Sequence, residues 1–127
     1  MGILLDTHVV LWWLTDSAAL ARGARTTIGG ALVGEGVFVS AMSVLEIAGL
    51  SGRRNLPPAA DFVRDVSASG FRLLPFDARD AVIAGELPHI HADPMDRAIA
   101  AQAHRRRLTL MTGDERLAEY PIAVFRL

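Results

Sequence analysis

Short aliphatic runs along this chain alternate with longer stretches whose apolar positions recur every three or four residues. The short runs predict strands at Ile3–Leu5, Val37–Val39, Arg72–Pro75 and Leu108–Met111, with a weaker one at Ala123–Arg126. The periodic stretches predict helices at His8–Leu14, Ala18–Ala31, Ala41–Ser51, Ala59–Ser69, Ala78–Glu86, Pro94–Arg106 and Glu115–Glu119. Turns are expected at Gly34, Gly36, Pro57–Pro58, Gly70 and Gly113. Strands that read as apolar runs and alternate with helices point to a parallel sheet wrapped by helices. The expectation is an α/β fold forming one domain over residues 1–127, since the chain can bury a real core but is too short for two ordinary domains.

In an open parallel sheet, ligands bind beyond the carboxyl ends of the strands. Asp6 ends the first strand in ILLDTHVVLWWL, and Asp114 follows the fourth in LTLMTGDERLAEY. Asp96 lies in HADPMDRAIAAQAHRRR. At about 100° per residue it shares a helix face with Ile99, Ala100 and Ala103, while Arg97, Gln102 and Arg105 lie elsewhere. Glu46, in SAMSVLEIAGL, shares its face with Met42, Gly49 and Leu50. Capping accounts for part of this pattern: Asp6, Asp93 and Asp114 are placed as helix N-caps, and Asp96 as the partner in a capping box. Glu46 is mid-helix, where capping has no role. An unpartnered buried carboxylate takes up a proton or costs several kcal/mol. Four such acids converging on one sheet edge are most economically read as oxygen ligands of a hard divalent cation.

Net charge is −1, carried against 13 arginines and no lysine, so no overall basic field marks a polyanionic partner. The clusters Arg53–Arg54 and Arg105–Arg107 could serve one locally, although such runs are more often solvated helix ends. The absence of cysteine excludes disulfides and thiolate metal sites and fits a reducing compartment, with cytoplasm as the default. The first residues lack a basic stretch, and no apolar run reaches the roughly 18 residues of a span, so neither secretion nor membrane insertion is expected. Mean hydropathy of +0.30 with 51% hydrophobic residues is high for a small monomer and suggests apolar surface covered by another chain. No GxGxxG, Walker or GxSxG motif is present.

Taken together, LLDTHVVLWWL, SVLEIAGL, HADPMDRAIAAQA and LMTGDERL resemble the PIN domain of VapC-type toxins, in the expected order from residue 3 to residue 117. The resemblance implies an α/β/α sandwich around a central parallel sheet and a Mg²⁺- or Mn²⁺-dependent endoribonuclease. It maps the family's acids onto Asp6, Glu46, Asp96 and Asp114, with Asp93, Thr7, Ser43 and Thr112 at nearby supporting or capping positions. It also implies an RNA substrate and a cognate antitoxin that blocks the acid pocket, with homodimerisation expected alongside. Trp12 and Trp13, about 100° apart on one helix, either both sit between sheet and helices or turn one indole toward that partner.

Other classes fit less well. HIHADPMD resembles the H-x-H-x-D metal motif of metallo-β-lactamases, but Pro94 stands where a histidine should and the chain is too short. His89 and His91 read as loop residues, His91 with a possible contact at the site or the helix start, and His8 and His104 as structural. An aspartyl-phosphate receiver needs a late lysine, and there is none. A catalytically silent α/β module using the same acids to grip a metal or a basic partner remains the non-enzymatic alternative.

Overall fold

The computed structural model describes residues 1–50 and 55–127, so the Arg53–Arg54 cluster and the Ser51 helix end lie outside the described residues. The chain runs β1 (Ile3–Leu5), α1 (Thr7–Leu14), α2 (Arg22–Leu32), β2 (Val37–Ser40), α3 (Ala41–Leu50), α4 (Ala59–Ala68), β3 (Arg72–Leu74), α5 (Ala78–Glu86), α6 (Pro94–Arg106), β4 (Thr109–Thr112), a 3₁₀ turn (Glu115–Glu119) and β5 (Val124–Arg126). The five strands form one sheet in the order β3-β2-β1-β4-β5. All neighbours are parallel, with Ile3 paired to Val37 on one side and to Thr109 on the other.

The sheet is covered on both faces, which explains why its central strands read as unbroken apolar runs. Ile3, Leu5, Val37 and Val39 pack on one side with Val9, Ile28, Ile47, Phe62 and Val66. Leu4 and Leu110 pack on the other with Ile99, Ala100, Ala103 and Leu117. This is the three-layer α/β/α sandwich. Strand order reverses at β1, which lies between β2 and β4, so the crevice beyond the carboxyl ends of β1 and β4 is the place where such sheets bind ligands.

Three local expectations change. Helix α2 begins at Arg22 rather than Ala18, because Ser17 Oγ accepts from the Ala19 amide and the Arg25 guanidinium takes the carbonyls of Ser17 and Leu20, fixing a turn instead. The 115–119 segment winds as 3₁₀; it is a single short turn with Pro121 close behind. Gln102 is fully buried despite the polar face assigned to it, since α6 is clamped between the sheet and α5, and its Nε2 donates to the Pro75 carbonyl at 3.1 Å.

Candidate active site

Asp6 follows directly on β1 and caps α1, its Oδ1 accepting from the Thr7 amide at 2.9 Å. Its Oδ2 accepts from the Thr112 hydroxyl at 2.6 Å. That hydroxyl, at the end of β4, also accepts from the Asp114 amide at 3.0 Å. One buried threonine therefore fixes both strand-end acids. Thr7 and Ser43 hydroxyls meet at 2.7 Å and tie α1 to α3, the helix that carries Glu46. Asp114 caps the 3₁₀ turn by accepting from Arg116 N–H at 2.9 Å, and Asp93 caps α6 by accepting from Met95 N–H at 2.9 Å. Proline at the first position of α6 starts that helix, so Asp96 falls in its first turn.

Asp6, Glu46, Asp96 and Asp114 all line one cavity of about 280 Å³, together with Thr7, His8, Ile47 and an apolar rim of Leu11, Leu50 and Leu56. Asp96, Asp114 and His91 approach most closely, each offering a ligand atom within 4.8 Å of the others. Glu46 lines the cavity from α3 but is not one of this close group. Burial, reinforced by the Asp6, Asp93 and Asp114 carboxylates and partly offset by His91, pushes the Asp96 carboxyl up to about 7. Burial works in the same direction on Asp114, but the His91 ring and the Arg116 amide outweigh it and hold that carboxyl below its ordinary value. No arginine lines the cavity among the described residues. Carboxylate oxygens crowded enough for one to hold a proton suit a hard divalent cation, which would displace that proton and relieve the repulsion.

His91, expected in the loop with a contact at the site or the helix start, makes both: it is buried, its Nε2 lies 2.8 Å from Asp114 Oδ2 and 3.0 Å from Asp96 Oδ2, and its Nδ1 accepts from the Asp93 amide at the start of α6. His8, read as structural, also lines the cavity, with Nδ1 3.5 Å from Asp6 Oδ2. The capping box expected at Asp93 and Asp96 does not form, because the Asp93 amide donates to His91 Nδ1 instead. The capping box lies at Asp77 and Asp80, whose D-x-x-D spacing was a legible signal. Asp80 is fully buried and pairs with Arg105 at 2.9 Å and Arg106 at 3.5 Å, so these two arginines brace the interior while Arg107 stays exposed at the helix end. Trp12 and Trp13 are both half-buried, Trp12 edge-on to His8 at 4.9 Å and Trp13 against Phe71 at 5.6 Å.

Residues 3–123 match the PIN domain family. The chain is 30% identical over 122 residues to Ribonuclease VapC22 of Mycobacterium tuberculosis, covering 93% of this chain and 91% of that protein. Its fold matches VapBC2 from Rickettsia felis, solved bound to a DNA fragment from its promoter, with a TM-score of 0.76 at 15% identity over 100% of this chain and 99% of that one. It also matches FitAcB from Neisseria gonorrhoeae, with a TM-score of 0.70 at 25% identity over 98% of this chain and 96% of that one.

Proposed function

The chain belongs to the PIN domain family, and from that premise we propose that it is a metal-dependent endoribonuclease toxin whose single domain, residues 1–127, hydrolyses RNA phosphodiester bonds at the acid-lined cavity. The observation that carries the proposal is the convergence of Asp6, Glu46, Asp96 and Asp114, from the junctions after β1 and β4 and from helices α3 and α6, on one cavity at the carboxyl edge of the sheet. These four would hold Mg²⁺ or Mn²⁺. Bound there, the ion supplies charge neutralisation at the phosphate and a more acidic attacking water. The protein's own contribution is rigidity: Asp6 has both oxygens engaged by Thr7 and Thr112, and Asp114 both by Arg116 and His91. Side chains fixed in this way need little reorganisation when charge develops.

Unchecked cleavage of RNA would halt translation and growth, so the toxin needs a cognate antitoxin. The half-buried indoles of Trp12 and Trp13, the exposed Leu45 on α3 and the exposed Val33 in the turn after α2 are the apolar positions such a partner would cover. A double Trp12→Ala, Trp13→Ala change should weaken that complex. Homodimerisation and a cytoplasmic location complete the reading; among the described residues no helix is long and apolar enough to cross a membrane.

The test is cleavage of total RNA by partner-free protein in Mg²⁺, Mn²⁺ or chelator, beside Asp6→Asn and Asp96→Asn. Cutting that requires metal and is lost in both folded variants is the expected result. Folded, Mn²⁺-binding protein that leaves every RNA intact would favour the silent binding module instead.

A further inference from the structure

His91 sits within ligand distance of Asp96 and Asp114, yet its hydrogen bonds assign it another task. The backbone N–H of Asp93 donates to His91 Nδ1 at 3.1 Å, so that nitrogen carries a lone pair. In the neutral ring the proton is then on Nε2, and Nε2 faces Asp114 Oδ2 at 2.8 Å and Asp96 Oδ2 at 3.0 Å. Coordinating a cation through Nε2 would move the proton to Nδ1 and set it against the Asp93 amide, donor against donor. The loop that carries the ring is also anchored, because the His91 backbone amide donates to the buried Tyr120 hydroxyl at 2.9 Å. The guanidinium of Arg97 braces the same loop by donating to the Leu87 and Pro88 carbonyls at 3.0 and 2.8 Å.

We propose that His91 is a positioning residue: held as the Nε2–H tautomer by the Asp93 amide, it ties Asp96 on α6 to Asp114 beyond β4 and sets their spacing for the cation without coordinating it. The proposal rests on the metal-centre reading above. Partners that orient carboxylate ligands in this way commonly matter about 10–100-fold in metal affinity.

The experiment measures Mn²⁺ affinity by calorimetry and the His91 ring nitrogens by NMR, before and after Mg²⁺, in wild type, His91→Leu and His91→Gln. The glutamine amide can still donate at the Nε2 position. Expected are a protonated Nε2 with and without Mg²⁺, Mn²⁺ binding weakened about 10-fold or more in His91→Leu, and recovery to near wild type in His91→Gln. Loss of the Nε2 proton on adding Mg²⁺ would overturn the proposal in favour of direct ligation, and so would wild-type affinity in His91→Leu. If His91→Leu fails to fold, the ring spectrum of wild type and the affinity of His91→Gln decide the matter. Wild type that binds no Mn²⁺ overturns the metal-centre reading instead, while the metal-free spectrum still tests the tautomer.

Discussion

Replacing Asp96 with asparagine should stabilise the metal-free protein at neutral and higher pH. Burial and the neighbouring Asp6, Asp93 and Asp114 carboxylates raise the Asp96 carboxyl to about 7 from its ordinary 3.8. At 1.36 kcal/mol per pH unit, that difference corresponds to about 4 kcal/mol for a side chain only 20% exposed. The direction follows from proton counting. Between about pH 4 and 7 the folded chain holds a proton that the unfolded chain has released, so the stability present below about pH 4 is lost as pH rises through 7. Asparagine has no proton to lose and keeps its own value throughout. Urea unfolding in chelator should therefore show wild type and Asp96→Asn alike near pH 4, with the variant ahead by up to about 4 kcal/mol near pH 8. Mg²⁺ at about 100 times its Kd should return about 2.7 kcal/mol to wild type and little to the variant. Comparing the two proteins at each pH cancels the titrating groups that do not interact with Asp96. A gap between them that is the same at pH 4 and pH 8 would refute the account, because Asp96 would then feel neither burial nor its neighbours.

Further outcomes follow from the same contacts. Thr112→Val removes the donor to Asp6 and the acceptor for the Asp114 amide, so it should cost about 1–3 kcal/mol in urea unfolding and lower RNA cleavage, with Thr112→Ser restoring both. Asp80→Ala leaves Arg105 and Arg106 without their buried carboxylate; because both arginines keep some exposure, a loss of about 3 kcal/mol is expected, with Mn²⁺ affinity of the folded protein unchanged. Arg97→Ala frees the carbonyls at the end of α5, and hydrogen exchange at the His91 amide should speed up while β1 amides stay protected.

The central strands were legible because a parallel strand buried on both faces needs apolar residues throughout; the sheet could hardly be written otherwise at Ile3–Leu5 or Val37–Val39. The four acids stood out because each interrupts an apolar pattern or ends a strand. The start of α2 was not legible, since a guanidinium eight residues from its acceptor decides it. Gln102 reads as ordinary helix surface until α5 and α6 pack together, and only then does it become an interior residue that needs partners, beside the buried Asp80 carboxylate.

His91 marks the boundary most clearly. A sequence can say that a histidine stands two residues before a helix cap. It cannot say that Nδ1 meets the cap's own amide while Nε2 spans acids drawn from positions five and 23 residues away. Periodicity thus determined the element types and the inward-facing acids, because burial is a property each segment carries along its own length. The tertiary structure decided which proton lies between which carboxylates, because that depends on distances set jointly by a loop, a helix start and a strand end.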